Sequence, residues 1–194
     1  MADRAPRILA FSGSTRRESL HRPLLRLAVR AAEAEGVPCT VVDLRDPPLP
    51  IYDGDLEREQ GLPEAAVRLR ELMAAHRGLL LASPEYNGHP TPLLVNALDW
   101  MSRAPGARPD LSPFAGVVGA LVAASPGPFG GIRGLAVVRG LLANLGVTVL
   151  ARQAAVGSAP DRLAPDGTLR DEGARRAVEA VGRDLARHVL ALER

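Results

Sequence analysis

The 194-residue chain contains no lysine. That removes Schiff-base catalysis and any phosphate loop of the GxxxxGK[ST] type, both of which need an amine. All 24 basic residues are therefore arginine, set against 22 acidic ones, and a net charge of +2 is too nearly balanced to signal a nucleic-acid surface. Cysteine is almost as scarce: Cys39 alone makes no intrachain disulfide and excludes a multi-cysteine zinc or iron–sulfur site. It falls in an expected strand, where an inert, buried thiol is predicted. The four histidines, His21, His76, His89 and His188, lack any HExxH-like spacing, so no metal is expected. Aromatic residues make up only 3% of the chain, so a core must be built from Leu, Val and Ala. No apolar run is long enough to span a bilayer, and the opening MADRAPR lacks the apolar stretch of a signal peptide. A cytoplasmic location without membrane contact is the expectation. A GxSxG elbow is missing too, which argues against a serine hydrolase of that class.

What the chain does have is a regular alternation of short apolar runs with amphipathic stretches. Ile8 to Phe11 reads as a buried strand, and Leu20 to Glu35 as a helix with Gly36 at its end. Pro23 requires that helix either to begin near Arg22 or to carry a distorted first turn. Val37 to Leu44 reads as a second, mostly buried strand, and Asp53 to Gln60 as a solvated polar loop. Pro63 to Ala75 is a helix with proline at its start, His76 and Arg77 at its end and Gly78 closing it. Leu79 to Ala82 is the third strand. Leu93 to Arg103 follows as a helix whose Asp99 and Arg103 are spaced for a surface ion pair. Ala115 to Ala123 is the fourth strand, Ile132 to Leu145 a helix capped by Gly146, and Val147 to Val156 the fifth strand. Ser158 to Asp171 is rich in turn residues and suits a small hairpin, and an amphipathic helix ends the chain. This order predicts one α/β domain over residues 1–194, a mostly parallel sheet with helices on both faces.

Three loops carry unusual chemistry, Ser12 to Ser19, Ser83 to Pro92 and Ser125 to Gly131, and they follow strands one, three and four. In such a sheet they meet at the carboxyl rim, where ligands bind. The first loop offers hydroxyls, one glycine, Arg16 and Arg17 at the start of a helix, a combination suited to an anion. It has one glycine where GxGxxG needs three, so a terminal monophosphate suits it better than a pyrophosphate. The second offers the aromatic face of Tyr86 and the amide of Asn87 on a backbone shaped by Pro84 and Gly88, a combination suited to a flat heterocycle. Glu85 has no carboxylate or histidine placed by sequence to assist it and reads as a structural or binding residue.

Gly13-Ser14-Thr15-Arg16 with Ser19, Pro84-Glu85-Tyr86-Asn87-Gly88, Asn96-Ala97-Leu98-Asp99-Trp100 and Gly130-Gly131 together resemble the NADPH-dependent FMN reductase family. The resemblance implies a flavodoxin-like three-layer sandwich whose five-stranded parallel sheet has the order 2-1-3-4-5. It implies bound FMN, with the phosphate on Ser14, Arg16 and Ser19 and amides of that loop, Thr15 and His21 beside them. The isoalloxazine lies along Pro84, Glu85, Tyr86 and Asn87, next to Gly88, with Ser125 and Gly127 closing the other side. The implied activity is hydride transfer from NADPH or NADH to FMN, then two electrons to a small-molecule acceptor such as a quinone, free flavin, azo compound or metal oxyanion. No side chain need act as acid or base. The resemblance also implies a homodimer or homotetramer, in which the helix of Trp100 is either intersubunit or plain core. The family usually has asparagine at His21 and lysine at Val95, and Pro23 is atypical for it. An electron carrier of the flavodoxin type and a flavin-free interaction protein on the same fold are the alternatives.

Overall fold

A computed structural model describes residues 6–192. The expectation for the first five residues lies outside them. Strand β1 (Ile8–Ser12) leads to α1 (His21–Glu33) and β2 (Cys39–Val42), and α2 (Gly54–Gln60) and α3 (Glu64–Ala75) precede β3 (Gly78–Ala82). A small hairpin of β4 (Glu85–Tyr86) and β5 (His89–Pro90) opens onto α4 (Pro92–Met101). A second hairpin, β6 (Arg103–Ala104) with β7 (Arg108–Pro109), and a 3-10 turn at Ser112–Phe114 lead to β8 (Val118–Ala124). Then come α5 (Ile132–Asn144), β9 (Thr148–Val156), α6 (Ala159–Arg162) and α7 (Glu172–Ala191).

The five longer strands form one parallel sheet in the order β2-β1-β3-β8-β9, which is 2-1-3-4-5 when sheet strands alone are counted. Strands β1, β3 and β8 are buried along their whole length, as strands covered by helices on both faces must be. Side chains alternate between two cores. Ile8, Ala10, Leu80, Ala82, Ala120 and Val122 face α1 and α7, whereas Leu9, Phe11, Leu79, Leu81 and Leu121 face α3, α4 and α5. The first layer uses small residues and packs tightly. A Cβ on Gly182 of α7 would lie 2.0 Å from the Ala28 carbonyl oxygen of α1, so the two helices touch through backbone. Close contact of this kind fills a core without large aromatic rings.

Several local expectations are corrected, while those for Pro23, for Trp100 and for residues 158–171 are resolved within the alternatives stated. β2 is a half-buried edge strand with Val41 54% exposed, because no strand pairs with its outer side. Residues 54–60 are helical, not a solvated loop: the Asp53 side chain caps α2 by accepting from the Asp55 and Leu56 amides. Glu57 on that helix is buried and accepts from Arg103 Nε at 3.0 Å and from the Tyr52 hydroxyl at 3.0 Å. The Arg103 hydrogen bonds hold the Glu57 carboxyl below its ordinary pKa against the opposing effect of burial. Arg103 therefore turns to Glu57 and not to Asp99. Pro23 is the third residue of an α1 that begins at His21, where a missing N–H costs nothing because the first amides have no intrahelical acceptor. Gly78 opens β3 instead of closing a helix, since a Cβ there would strike Ile8 at 2.6 Å. Cys39 is half-buried, and burial pushes its thiol up to about 12, so it stays a protonated thiol at neutral pH. Trp100 is core: fully buried, it stands edge-on to Tyr52 and donates its indole N–H to the Pro50 carbonyl at 2.8 Å. Residues 158–171 hold α6 and a single Leu163–Leu169 bridge around Asp166-Gly167.

The α1–α7 contact sets a stability expectation. Gly182→Ala forces the two helices apart and should cost about 2–3 kcal/mol, in the range of core overpacking. Urea unfolding of the two proteins measures it, and equal midpoints would show that α1 and α7 separate without penalty.

Candidate functional site

The ladder runs one residue past each central strand. Gly13 N–H donates to Ala82 O at 3.0 Å, Ser83 N–H to Val122 O at 2.9 Å and Ser125 N–H to Val156 O at 3.1 Å. The three loops leave the sheet at one level as a result. Gly13 is required by close approach, since a Cβ would sit 3.0 Å from Leu94 Cβ and from Thr91 Oγ1. Thr91 then pins the first loop to α4: its hydroxyl donates to Gly13 O at 2.7 Å and accepts from the Leu94 amide as the helix N-cap. The start of α1 is not capped in this way. Its N-cap is Leu20, while Ser19 Oγ accepts from His21 N–H at 3.3 Å and Ser14 Oγ from Arg16 N–H at 3.4 Å. The amides of Ser14 and Thr15 donate to no acceptor among the described residues. Arg45 hydrogen-bonds to the Thr15 carbonyl from the β2 side.

In the second loop Asn87 and Gly88 both have positive φ, 55° and 82°, the backbone of a two-residue hairpin turn between β4 and β5. Asn-Gly is the preferred pair for such a turn, so these two residues shape the hairpin that presents Tyr86, which is 55% exposed. Glu85 sits behind it. Its carboxylate accepts from Arg133 Nη2 at 2.7 Å and from the Gly134 amide at 2.8 Å. Burial raises its pKa, but the Gly134 amide and the Arg133 guanidinium outweigh that and hold the carboxyl below the usual range. It is an anion fixing the second loop to α5, and not a proton donor at neutral pH.

The third loop is closed by Ser125, whose hydroxyl donates to Gly127 O at 2.9 Å, while the same carbonyl accepts from Ser158 N–H at 3.0 Å. His21 joins this loop to the first: the Ala124 amide donates to Nε2 of its buried ring at 3.1 Å. Burial pushes His21 down to about 4, so the ring is neutral and its Nε2 lone pair is free to accept.

One cleft at this rim is lined by Ser14, Arg16, Ser19, His21, Pro84, Glu85, Tyr86 and Ser125, eight of the twelve residues expected there. The other four lie beside it. Thr15 is exposed with its carbonyl on Arg45, Asn87 and Gly88 form the turn, and Gly127 anchors Ser125. Leu20 and Ala124 complete the lining without any signal in the sequence, together with Pro126 of the third loop. Thr91 is not among the expected site residues: a threonine just before Pro92 is an N-cap signal that marks it, whereas its hold on Gly13 is visible only in the fold. Val95 is half-buried in α4. Among the described residues no group of three or more His, Cys, Asp or Glu is placed to hold a metal. Nor, among the described residues, is any helix long and apolar enough to cross a membrane.

The model of a family described as NADPH-dependent FMN reductase matches residues 6–161. A probable NADPH:quinone oxidoreductase of Oryza sativa subsp. japonica is 39% identical over 137 residues, which are 70% of this chain and 64% of the rice protein. The match thus spans just under two thirds of that relative. An NAD(P)H-dependent FMN reductase of Pseudomonas aeruginosa is 33% identical over 174 residues, 89% of each chain. Among solved structures, FerB, a flavoenzyme NAD(P)H:(acceptor) oxidoreductase from Paracoccus denitrificans, superposes with a TM-score of 0.78 at 24% identity, covering 95% of this chain and 97% of its own, a likeness in fold.

The buried histidine makes a pH expectation. Because His21 has a folded pKa of about 4 against an ordinary 6.5, its contribution is complete above pH 6.5 and is lost as pH falls towards 4, up to about 3 kcal/mol. His21→Gln keeps an acceptor for the Ala124 amide but gains no proton, so its unfolding free energy should stay flatter over that window. Parallel slopes for the two proteins would remove His21 as the source.

Proposed function

The chain belongs to the NADPH-dependent FMN reductase family, and on that premise we propose that it binds FMN at the carboxyl rim of the sheet and reduces a small-molecule acceptor at the expense of NADPH or NADH. The observation that carries this reading is the cleft itself, in which three loops distant in sequence bring hydroxyls, a guanidinium and an aromatic face together.

The residues present fit the cofactor. The Ser14 and Ser19 hydroxyls, the Arg16 guanidinium and the unpartnered Ser14 and Thr15 amides are a donor set for a terminal phosphate at the start of α1. Pro84 to Tyr86 would hold the isoalloxazine, with Asn87 and Gly88 shaping the turn, and Ser125 with Gly127 would close the other side. When bound, FMN supplies two-electron redox chemistry, taking a hydride from the nicotinamide and giving two electrons to the acceptor. The chain's own part is to bind and orient. Glu85 is held as an anion by Arg133 and Gly134, and neutral His21 is committed to Ala124, so neither moves a proton in this reading. Acceptors of the quinone, free flavin, azo or metal-oxyanion class are consistent with a site that supplies no acid or base of its own. A homodimer or homotetramer completes the reading, and light scattering checks it, a monomer removing that part.

Absorbance titration with FMN followed by anaerobic NADPH is the direct test. Flavin bands that appear and then bleach are expected, and Arg16→Gln should weaken FMN binding roughly ten-fold or more through loss of a charge-assisted hydrogen bond. Bound flavin that NADPH does not bleach would make the protein an electron carrier, and no flavin binding at all would sink the assignment. Steady-state plots should be parallel, the ping-pong pattern of donor and acceptor sharing one place.

A further inference from the structure

On the far side of the first loop from the flavin cleft runs a second groove, of about 260 Å³, between the first two turns of α1 and the edge strand β2. The two clefts share only Ser14. Its floor is the Ser12 hydroxyl, 7% exposed as a residue and without a hydrogen-bond partner among the described residues, which is unusual because a buried hydroxyl left unsatisfied is costly. Its wall is Arg22 and Arg26, one helical turn apart. Arg22 donates to Asp43 through Nη2 at 3.0 Å, and its remaining N–H groups have no acceptor among the described residues. Arg26 makes no ion pair or hydrogen bond with any of them. The opposite wall is apolar, with Val41 54% exposed on an unpaired sheet edge.

A buried hydroxyl lacking a partner, two guanidiniums and a flat apolar wall are the parts needed to hold a phosphorylated base. We propose that this groove is the subsite for the 2′-phosphoadenosine end of NADPH, the phosphate on Arg22, Arg26 and Ser12 and the purine against Val41. The proposal rests on the reading of the protein as a nicotinamide-dependent flavoprotein. The groove and the flavin cleft meet at Ser14, and a dinucleotide is longer than FMN, so one that enters at the cleft has the length to reach the groove. Two guanidiniums against the single Asp43 carboxylate leave the groove a net cation, and a bidentate fork suits a phosphate dianion.

The test needs no turnover. The protein as purified, loaded with FMN, is titrated calorimetrically with adenosine 2′,5′-bisphosphate and in parallel with adenosine 5′-monophosphate. The bisphosphate should bind at least ten-fold more tightly, and Arg26→Gln and Ser12→Ala should each reduce that preference five-fold or more, with thermal midpoints confirming that both variants are folded. Equal affinities for the two nucleotides would overturn the proposal, as would an undiminished preference in Arg26→Gln. Displacement of FMN by the bisphosphate would place it in the flavin cleft instead, and inorganic phosphate binding as tightly as the bisphosphate would make this a free-phosphate site, so either also overturns it. Equal affinities in a protein whose flavin NADPH still bleaches sink the subsite alone, whereas bound flavin that NADPH does not bleach sinks the nicotinamide-dependent reading and the subsite with it.

Discussion

Three strands buried on both faces have no water to satisfy their backbone groups, so nearly all their amides and carbonyls pair within the sheet, the register of β8 on β9 slipping only between Gly119 and Leu121. That requirement fixes the register of β1, β3 and β8 and carries the ladder one residue beyond each strand, through the amides of Gly13, Ser83 and Ser125. The candidate site follows from it. Loops that leave the sheet at one level have to share the space above the rim, and what they share is set by their side chains. Thr91, Glu85 and His21 then tie the loops to α4, to α5 and to each other.

The sheet was readable because its signals are local. Short apolar runs ending in Gly, Ser and Pro mark β1, β3 and β8, and helical periodicity marks α1, α3, α5 and α7. The hydroxyls and arginines of the first loop are local signals of the same kind, and the fold gathers Ser14, Arg16 and Ser19 into one cleft. What could not be read depends on partners far away in the chain. The segment of α2 is polar and only seven residues long, and its helix makes sense only once Glu57 meets Arg103, 46 positions later. His21 reads as one more polar residue of the loop, yet its ring nitrogen is taken by an amide 103 positions away. β2 reads as a buried strand because burial of an apolar run depends on whether another strand lies beyond it.

Charge is spent sparingly inside this protein. Glu57 with Arg103 and Glu85 with Arg133 are carboxylates almost removed from water, each met by a guanidinium and by one further donor, the Tyr52 hydroxyl or the Gly134 amide. Pairs of this kind add little net stability but lock orientation, because leaving either partner alone is costly. Arginine suits the task better than lysine, since its planar fork offers several N–H groups in fixed geometry: Arg103 meets both oxygens of Glu57, and Arg133 sets two N–H groups on one oxygen of Glu85. A chain whose only cationic side chains are guanidiniums is thus well supplied for fixed geometry.

The backbone contact between Gly182 and Ala28 has a consequence for the order in which the molecule is made. During synthesis the N-terminal strand, the first loop and α1 emerge early, long before α7. Their apolar face toward Val178, Val181 and Leu185 has nothing to rest against until the final helix leaves the ribosome. The apolar face of α1 is thus covered only by an element more than a hundred residues later, and a nascent chain stopped short of α7 exposes one whole layer of its core.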